Sequence, residues 1–124
     1  MNISKFTQKS VQAVQDLEKV AYEYGNQEIE QEHLLYTLLT QEDSLILKLI
    51  EKMEINKEYF LNTVKNALDA KVKVSGGELR FGQYLNKALV NAEDEAKAMG
   101  DEYVSVEHLF LALLRYPSPS MKKL

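Results

Sequence analysis

Two phrases in this sequence set a carboxylate beside an imidazole, Glu32-His33 in "IEQEHLLYTLLTQ" and Glu107-His108 in "VSVEHLFLALLRY". Pairs of this kind could serve a metal centre or general acid–base chemistry, so their spacing has to be weighed. Neighbours at i and i+1 on a helix do not face each other. No H-E-x-x-H arrangement, which would put two imidazoles on one helix face, is present. Cysteine is absent, which leaves no thiolate zinc site and no disulfide framework. The adjacent carboxylates Glu93 and Asp94 diverge by about 100° around a helix and are poorly placed for joint proton transfer. A phosphate loop is missing too, because "SGGEL" lacks the lysine and the spacing of G-x-x-x-x-G-K-[ST]. The reactive residue types therefore point to no catalytic centre, no cofactor and no metal in this domain.

The elements that position these phrases follow from an internal repeat. His33 and His108 stand 75 residues apart, and the same offset pairs Phe6 with Phe81, Ala13 with Ala88, Glu18 with Glu93, Ala21 with Ala96, and Gly25 with Gly100. It also sets Leu34, Leu38 and Leu39 on Leu109, Leu113 and Leu114. A fixed period without gaps marks a duplicated structural unit.

Each copy opens on an amphipathic helix. Ala13, Val14, Leu17, Val20, Ala21 and Tyr24 form the stripe of the first, and Leu85, Ala88, Leu89, Ala92, Ala96 and Met99 that of the second. Gly25 and Gly100 stop these helices at a position that favours a left-handed backbone. After a short connection, whose Ile29 or Val104 turns inward, comes the Glu-His-Leu helix. Ser105 is placed to cap it, Glu107 lies in its first turn near the positive dipole end, and Leu109, Leu113 and Leu114 are expected to be buried. Copy one continues with two more helices. Ser44 caps one with Leu45, Ile46, Leu49, Ile50 and Met53 on one side, and Asn56 caps the other with Phe60, Val64, Ala67 and Leu68 on its stripe. The segment "VKVSGGELR", residues 72–80, reads as a linker. Copy two runs from residue 81 and ends at residue 124 about one turn into its third helix. The expectation is an all-α domain of about six helices, a four-helix repeat over 1–71 followed by a partial repeat over 81–124. If absent helices normally cover Leu109 and Leu113, an apolar patch there would favour weak self-association over a plain monomer.

Composition agrees with one small domain. The chain has 124 residues, 45% hydrophobic and 27% charged, a balance typical of a globular protein. The net charge of −4 and the lack of a basic face argue against nucleic acid, and the scattered tyrosines offer no platform for bases. Apolar runs are far shorter than the roughly 20 residues of a spanning helix, and no secretory signal is visible, so a cytoplasmic protein that binds no membrane is expected.

The stretch "FTQKSVQAVQDLEKVAYEYGNQEIEQEHLLYTLLTQ", the joint "VKVSGGELR" and "GDEYVSVEHLFLALL" together resemble the N-terminal domain of the Clp ATPases. The joint favours the ClpB-type disaggregases over the ClpC and ClpA types. That resemblance implies two pseudo-repeats of four helices ahead of a hexameric ring, where ATP and Mg would be held. It also implies a stress-response chaperone whose N-domain engages unfolded or aggregated polypeptide in an apolar groove. An adaptor protein, as in the protease-partnered types, is the alternative ligand. Matched residue by residue, Thr7, Asp101 and Glu107 fall on polar residues that edge the groove, and Leu89 is a candidate for the groove itself. Each also has a plainer role: Thr7 as an N-cap, Asp101 and Glu107 fixing a loop and a helix end, and Leu89 on the core stripe.

Overall fold

In the computed structural model of the chain, residues 3–74 and 76–124 are described. Residues 1 and 2, and Ser75 of the expected linker, lie outside them. Six α-helices follow in order: α1 (Gln8–Glu23), α2 (Gln31–Thr40), α3 (Leu45–Lys52), α4 (Lys57–Asp69), α5 (Gln83–Ala98) and α6 (Val106–Arg115). Two-residue strands β1 (Glu28–Ile29) and β2 (Arg80–Phe81) precede α2 and α5. Short 3-10 turns occupy Ile3–Lys5 and Met121–Lys123.

The first helix of each copy ends in the same way. Gly25 and Gly100 have φ of 70° and 72°. Asn26 N–H bonds Ala21 O at 2.9 Å while Gly25 N–H bonds Tyr22 O at 3.1 Å, and Asp101 and Gly100 repeat the pattern onto Ala96 and Lys97 at 2.8 and 3.0 Å. This Schellman arrangement satisfies carbonyls that a helix end leaves free, and only glycine takes its left-handed position without a Cβ penalty. The chain then doubles back, and α1 packs on α2 as α5 packs on α6.

Helix α2 is the hub, touching α1, α3, α4, α5 and α6. It is buried along nearly its whole length, with Leu34, Leu35, Leu38 and Leu39 at 0–2% exposure. Each such leucine stabilises by about 1.5–3 kcal/mol before entropy is charged. The equivalent helix α6 is buried less completely. Leu109 and Leu113 are inside at 0% and 1%, but Leu114 is 56% exposed, whereas its repeat partner Leu39 is covered. The expected burial of Leu114 is therefore corrected; Leu109 and Leu113 are themselves buried, and the apolar surface beside them is presented by Leu114, Met53, Ile55 and Leu124 around an open hollow. In α3 only Ile46 and Ile50 are buried. Leu45 opens the helix and Met53 is its C-cap residue, so both lie at ends beyond the reach of the core, 42% and 57% exposed. Met99, the C-cap of α5, is exposed for the same reason.

The two copies grip each other through crossed backbone pairs. Ile29 of copy one pairs with Phe81 of copy two in a parallel ladder, and Phe6 of copy one forms a parallel bridge with Val104 of copy two. Under the 75-residue offset these are one interaction made twice. The segment read as a linker is consequently tied down over much of its length. Val74 N–H bonds Gly25 O at 2.9 Å and Arg80 N–H bonds Gln27 O at 3.0 Å, and Asn26 Nδ2 donates to Val72 O at 3.1 Å. No helix of the described residues is long and apolar enough to cross a membrane.

Candidate functional site

The Phe6–Val104 bridge brings two helix N-termini side by side. Thr7 caps α1, its Oγ1 accepting from Ser10 N–H at 3.3 Å, and its own N–H donates to Val104 O at 2.9 Å. Ser10, fully buried, donates through Oγ to the same Val104 carbonyl at 2.7 Å. Ser105 caps α6 just beyond that carbonyl. Between the two caps and the turn joining α2 to α3 lies a cleft of about 410 Å³. Thr7 and Glu107 border it, Leu45 and Val106 give it apolar surface, and Lys9 and Asp43 contribute charge. The turn is held by Gln41 Nε2 donating to Lys9 O at 2.9 Å and Lys9 Nζ donating to Glu42 O at 2.7 Å. Lys48 bonds Asp43 at 2.6 Å, and this ammonium holds the Asp43 carboxyl below its ordinary range. Asp43 is thus an anion at neutral pH.

Of the four residues singled out from sequence, the fold brings Thr7 and Glu107 to one cleft from helices at opposite ends of the chain. Asp101 stands apart and is linked to the rim by a relay. Its Oδ2 accepts from His108 Nε2 at 2.8 Å, and His108 Nδ1 accepts from Ser105 N–H at 2.9 Å. A backbone N–H can only donate, so Nδ1 carries the lone pair and Nε2 the proton. Asp101 therefore orients His108, and His108 fixes the cap. Leu89, 2% exposed, packs in the core and does not border the cleft.

The repeated Glu-His-Leu phrase is explained by the same relay. His33 sits three residues past the N-cap of α2, its Nδ1 accepting from Glu30 N–H at 2.9 Å and its Nε2 donating to Asn26 Oδ1 at 3.0 Å. Each histidine thus takes the reciprocal half of a capping box, the place a Glu or Gln more often fills. Sequence reasoning missed this, although a histidine three residues after a cap, twice in one register, was the available signal. His33 is fully buried; burial, and after it the nearby Lys71 ammonium, pushes its pKa down to about 4.

The glutamates of the two phrases diverge. Glu107 is exposed in the first turn of α6, while Glu32 is 1% exposed. Ser120 Oγ bonds Glu32 Oε2 at 2.5 Å, and Lys71 approaches Oε1 at 3.4 Å and Glu30 at 2.9 Å. Beside it Gln31, also 1% exposed, gathers Tyr84 O, Tyr116 O and Ser118 N–H. Sequence inspection does not single out Gln31, Lys9, Gln41 or Asp43, because their roles depend on which loops fold over which helix. Among the described residues no group of three or more His, Cys, Asp and Glu side chains could hold a metal ion.

The family model described as the Clp repeat (R) N-terminal domain matches residues 5–124. A relative named chaperone protein ClpB from Nitratidesulfovibrio vulgaris is 38% identical over 126 residues, 98% of this chain and 15% of its own length. The chain therefore spans only about a seventh of that relative. Among solved structures, the Hsp104 N-terminal domain from Candida albicans superposes with a TM-score of 0.85 at 21% identity, covering 96% of this chain and 78% of that one. The N-terminal domain of the ClpV1 ATPase from E. coli gives 0.82 at 22%, covering 93% and 71%. At those identities the likeness speaks to fold, and the family rests on the sequence match: this chain belongs to the Clp repeat N-terminal domain family.

Proposed function

We propose that this chain is the substrate-binding accessory domain of an ATP-driven protein disaggregase, and that it engages unfolded or aggregated polypeptide in the cleft between α1 and α6. One observation carries the reading: Thr7 and Glu107, picked from sequence alone, line one cleft together with the apolar Leu45 and Val106. An extended chain carries unpaired backbone N–H groups beside apolar side chains. The Glu107 carboxylate, which can only accept, and the Thr7 hydroxyl suit the former, and Leu45 and Val106 suit the latter. Asp101 serves as a positioning residue through His108.

The test is a titration of the ¹⁵N-labelled chain with a reduced, carboxymethylated protein that cannot fold. Expected are shift changes at Thr7, Asp43, Val106 and Glu107, and weaker binding by Glu107→Ala. Unchanged spectra, or changes confined to a different face, would overturn the proposal. A folded adaptor that shifts these signals when unfolded chain does not would instead favour adaptor binding.

A further inference from the structure

We infer that the outer edge of β1 is a second polypeptide site, where an extended, uncharged segment adds as a third strand in the cavity between β1 and residues 70–74. The inference carries the polypeptide-binding reading to a new place and rests on it for the kind of ligand alone.

The register leaves β1 half used. Arg80 N–H bonds Gln27 O at 3.0 Å and Gly82 N–H bonds Ile29 O at 2.8 Å, with Glu28 set opposite Arg80. In a parallel ladder successive residues turn their backbone polar groups to opposite edges, so those of Glu28 point away from β2. Among the described residues neither the Glu28 N–H nor its C=O has a protein partner. A donor and an acceptor left open on one strand edge are the complement of another extended backbone, and peptides that add to a sheet edge bind in this way.

The edge is also enclosed. A cavity of about 430 Å³ lies beside it, with Gln27, Glu28 and Glu30 on one wall and Val72 and Val74 on the other, within the size range of ligand sites. The far wall is anchored at one end, where Val74 N–H bonds Gly25 O at 2.9 Å and Asn26 Nδ2 donates to Val72 O at 3.1 Å. Val72 and Val74 are 81% and 41% exposed, apolar surface that the side chains of an added strand would cover. The charges around the cavity already answer one another, Lys71 with Glu30 at 2.9 Å and Arg80 with Glu28 at 3.6 Å. A charged ligand side chain finds no unpaired partner among them. Uncharged segments are therefore favoured, and β-branched ones above all, because they hold the extended form.

The test titrates the ¹⁵N-labelled chain with a blocked Thr-Val-Thr-Val-Thr pentapeptide and with its fully N-methylated analogue, which keeps the side chains but has no backbone N–H. Expected with the first are a downfield shift and slowed hydrogen exchange at the Glu28 amide, with shift changes at Val72 and Val74. The analogue should bind about fivefold or more weakly, as the loss of one hydrogen bond requires. Glu28→Pro removes the outward N–H at an edge position of the kind that tolerates proline. It should weaken the pentapeptide by a similar factor and leave the response of Thr7 and Glu107 to unfolded protein as it is. Should that variant fail to fold, exchange at Glu28 and the comparison of the two peptides decide. A Glu28 amide that neither shifts nor gains protection, equal binding of the two peptides, or a folded Glu28→Pro chain that binds like the parent would overturn the inference. If unfolded protein still shifts Thr7, Val106 and Glu107 in that case, the polypeptide-binding reading survives at the α1/α6 cleft; if it shifts nothing, both fall.

Discussion

His33 makes stability depend on pH in a defined window. It is fully buried, its Nδ1 faces the Glu30 N–H, and its pKa is pushed down to about 4 from an ordinary 6.5. Protonating Nδ1 would break the capping bond and set a cation near Lys71 and Lys73. Between pH 6.5 and 4 the unfolded chain binds a proton that the folded chain refuses. Stability is thus fully present above about 6.5 and falls as pH drops toward 4. At about 1.36 kcal/mol per unit, the loss across the window comes to about 3 kcal/mol. Urea unfolding at fixed pH values from 4 to 7.5, extrapolated to water, should show that slope in the parent. The slope should be much reduced in His33→Gln, which starts lower because one cap is weakened. A His33 imidazole titrating near 6.5 in the folded protein, or equal slopes in parent and variant, would refute the argument.

Three further outcomes follow from burial and pairing. Leu39→Ala should cost about 2–5 kcal/mol in denaturant unfolding, while Leu114→Ala, at the matching place in α6, should change stability by less than about 0.5 kcal/mol. Lys71→Ala removes the cation beside the buried Glu32 carboxylate and should destabilise by about 3–5 kcal/mol, with Glu32→Gln in that background recovering part of the loss. It should also raise the His33 pKa, since Lys71 contributes to its depression, which NMR titration of the ring would show. Asp101→Ala leaves the His108 Nε2 without its acceptor, so the Ser105 amide should exchange faster and cleft binding should weaken, although Asp101 does not line the cleft; unchanged exchange would remove it from a positioning role.

Much of this domain was legible in the sequence because it is built twice. The stripes of α1 and α5, the caps at Thr7, Ser44, Asn56 and Ser105, and the stops at Gly25 and Gly100 are local decisions. They follow from side-chain periodicity, from short polar side chains that accept backbone N–H, and from the absence of a Cβ. The repeat then tells that both Glu-His-Leu helices solve one packing problem.

Sequence alone determined, in this protein, the helices, their ends, the duplication and the family. The tertiary structure decided which equivalent residues remained equivalent. Leu39 and Leu114 occupy one place in the repeat and have opposite exposures, Glu32 is sealed where Glu107 is open, and Gln31 is buried in three hydrogen bonds where Val106 borders a cleft. Burial and hydrogen-bond partners are set by what folds over a helix from elsewhere in the chain, and α2 lies under five other helices where α6 keeps one face bare. The cleft exists for that reason: a repeat can write the same helix twice, but only three-dimensional packing breaks the symmetry, sealing one copy in the core and leaving the other beside an open cleft.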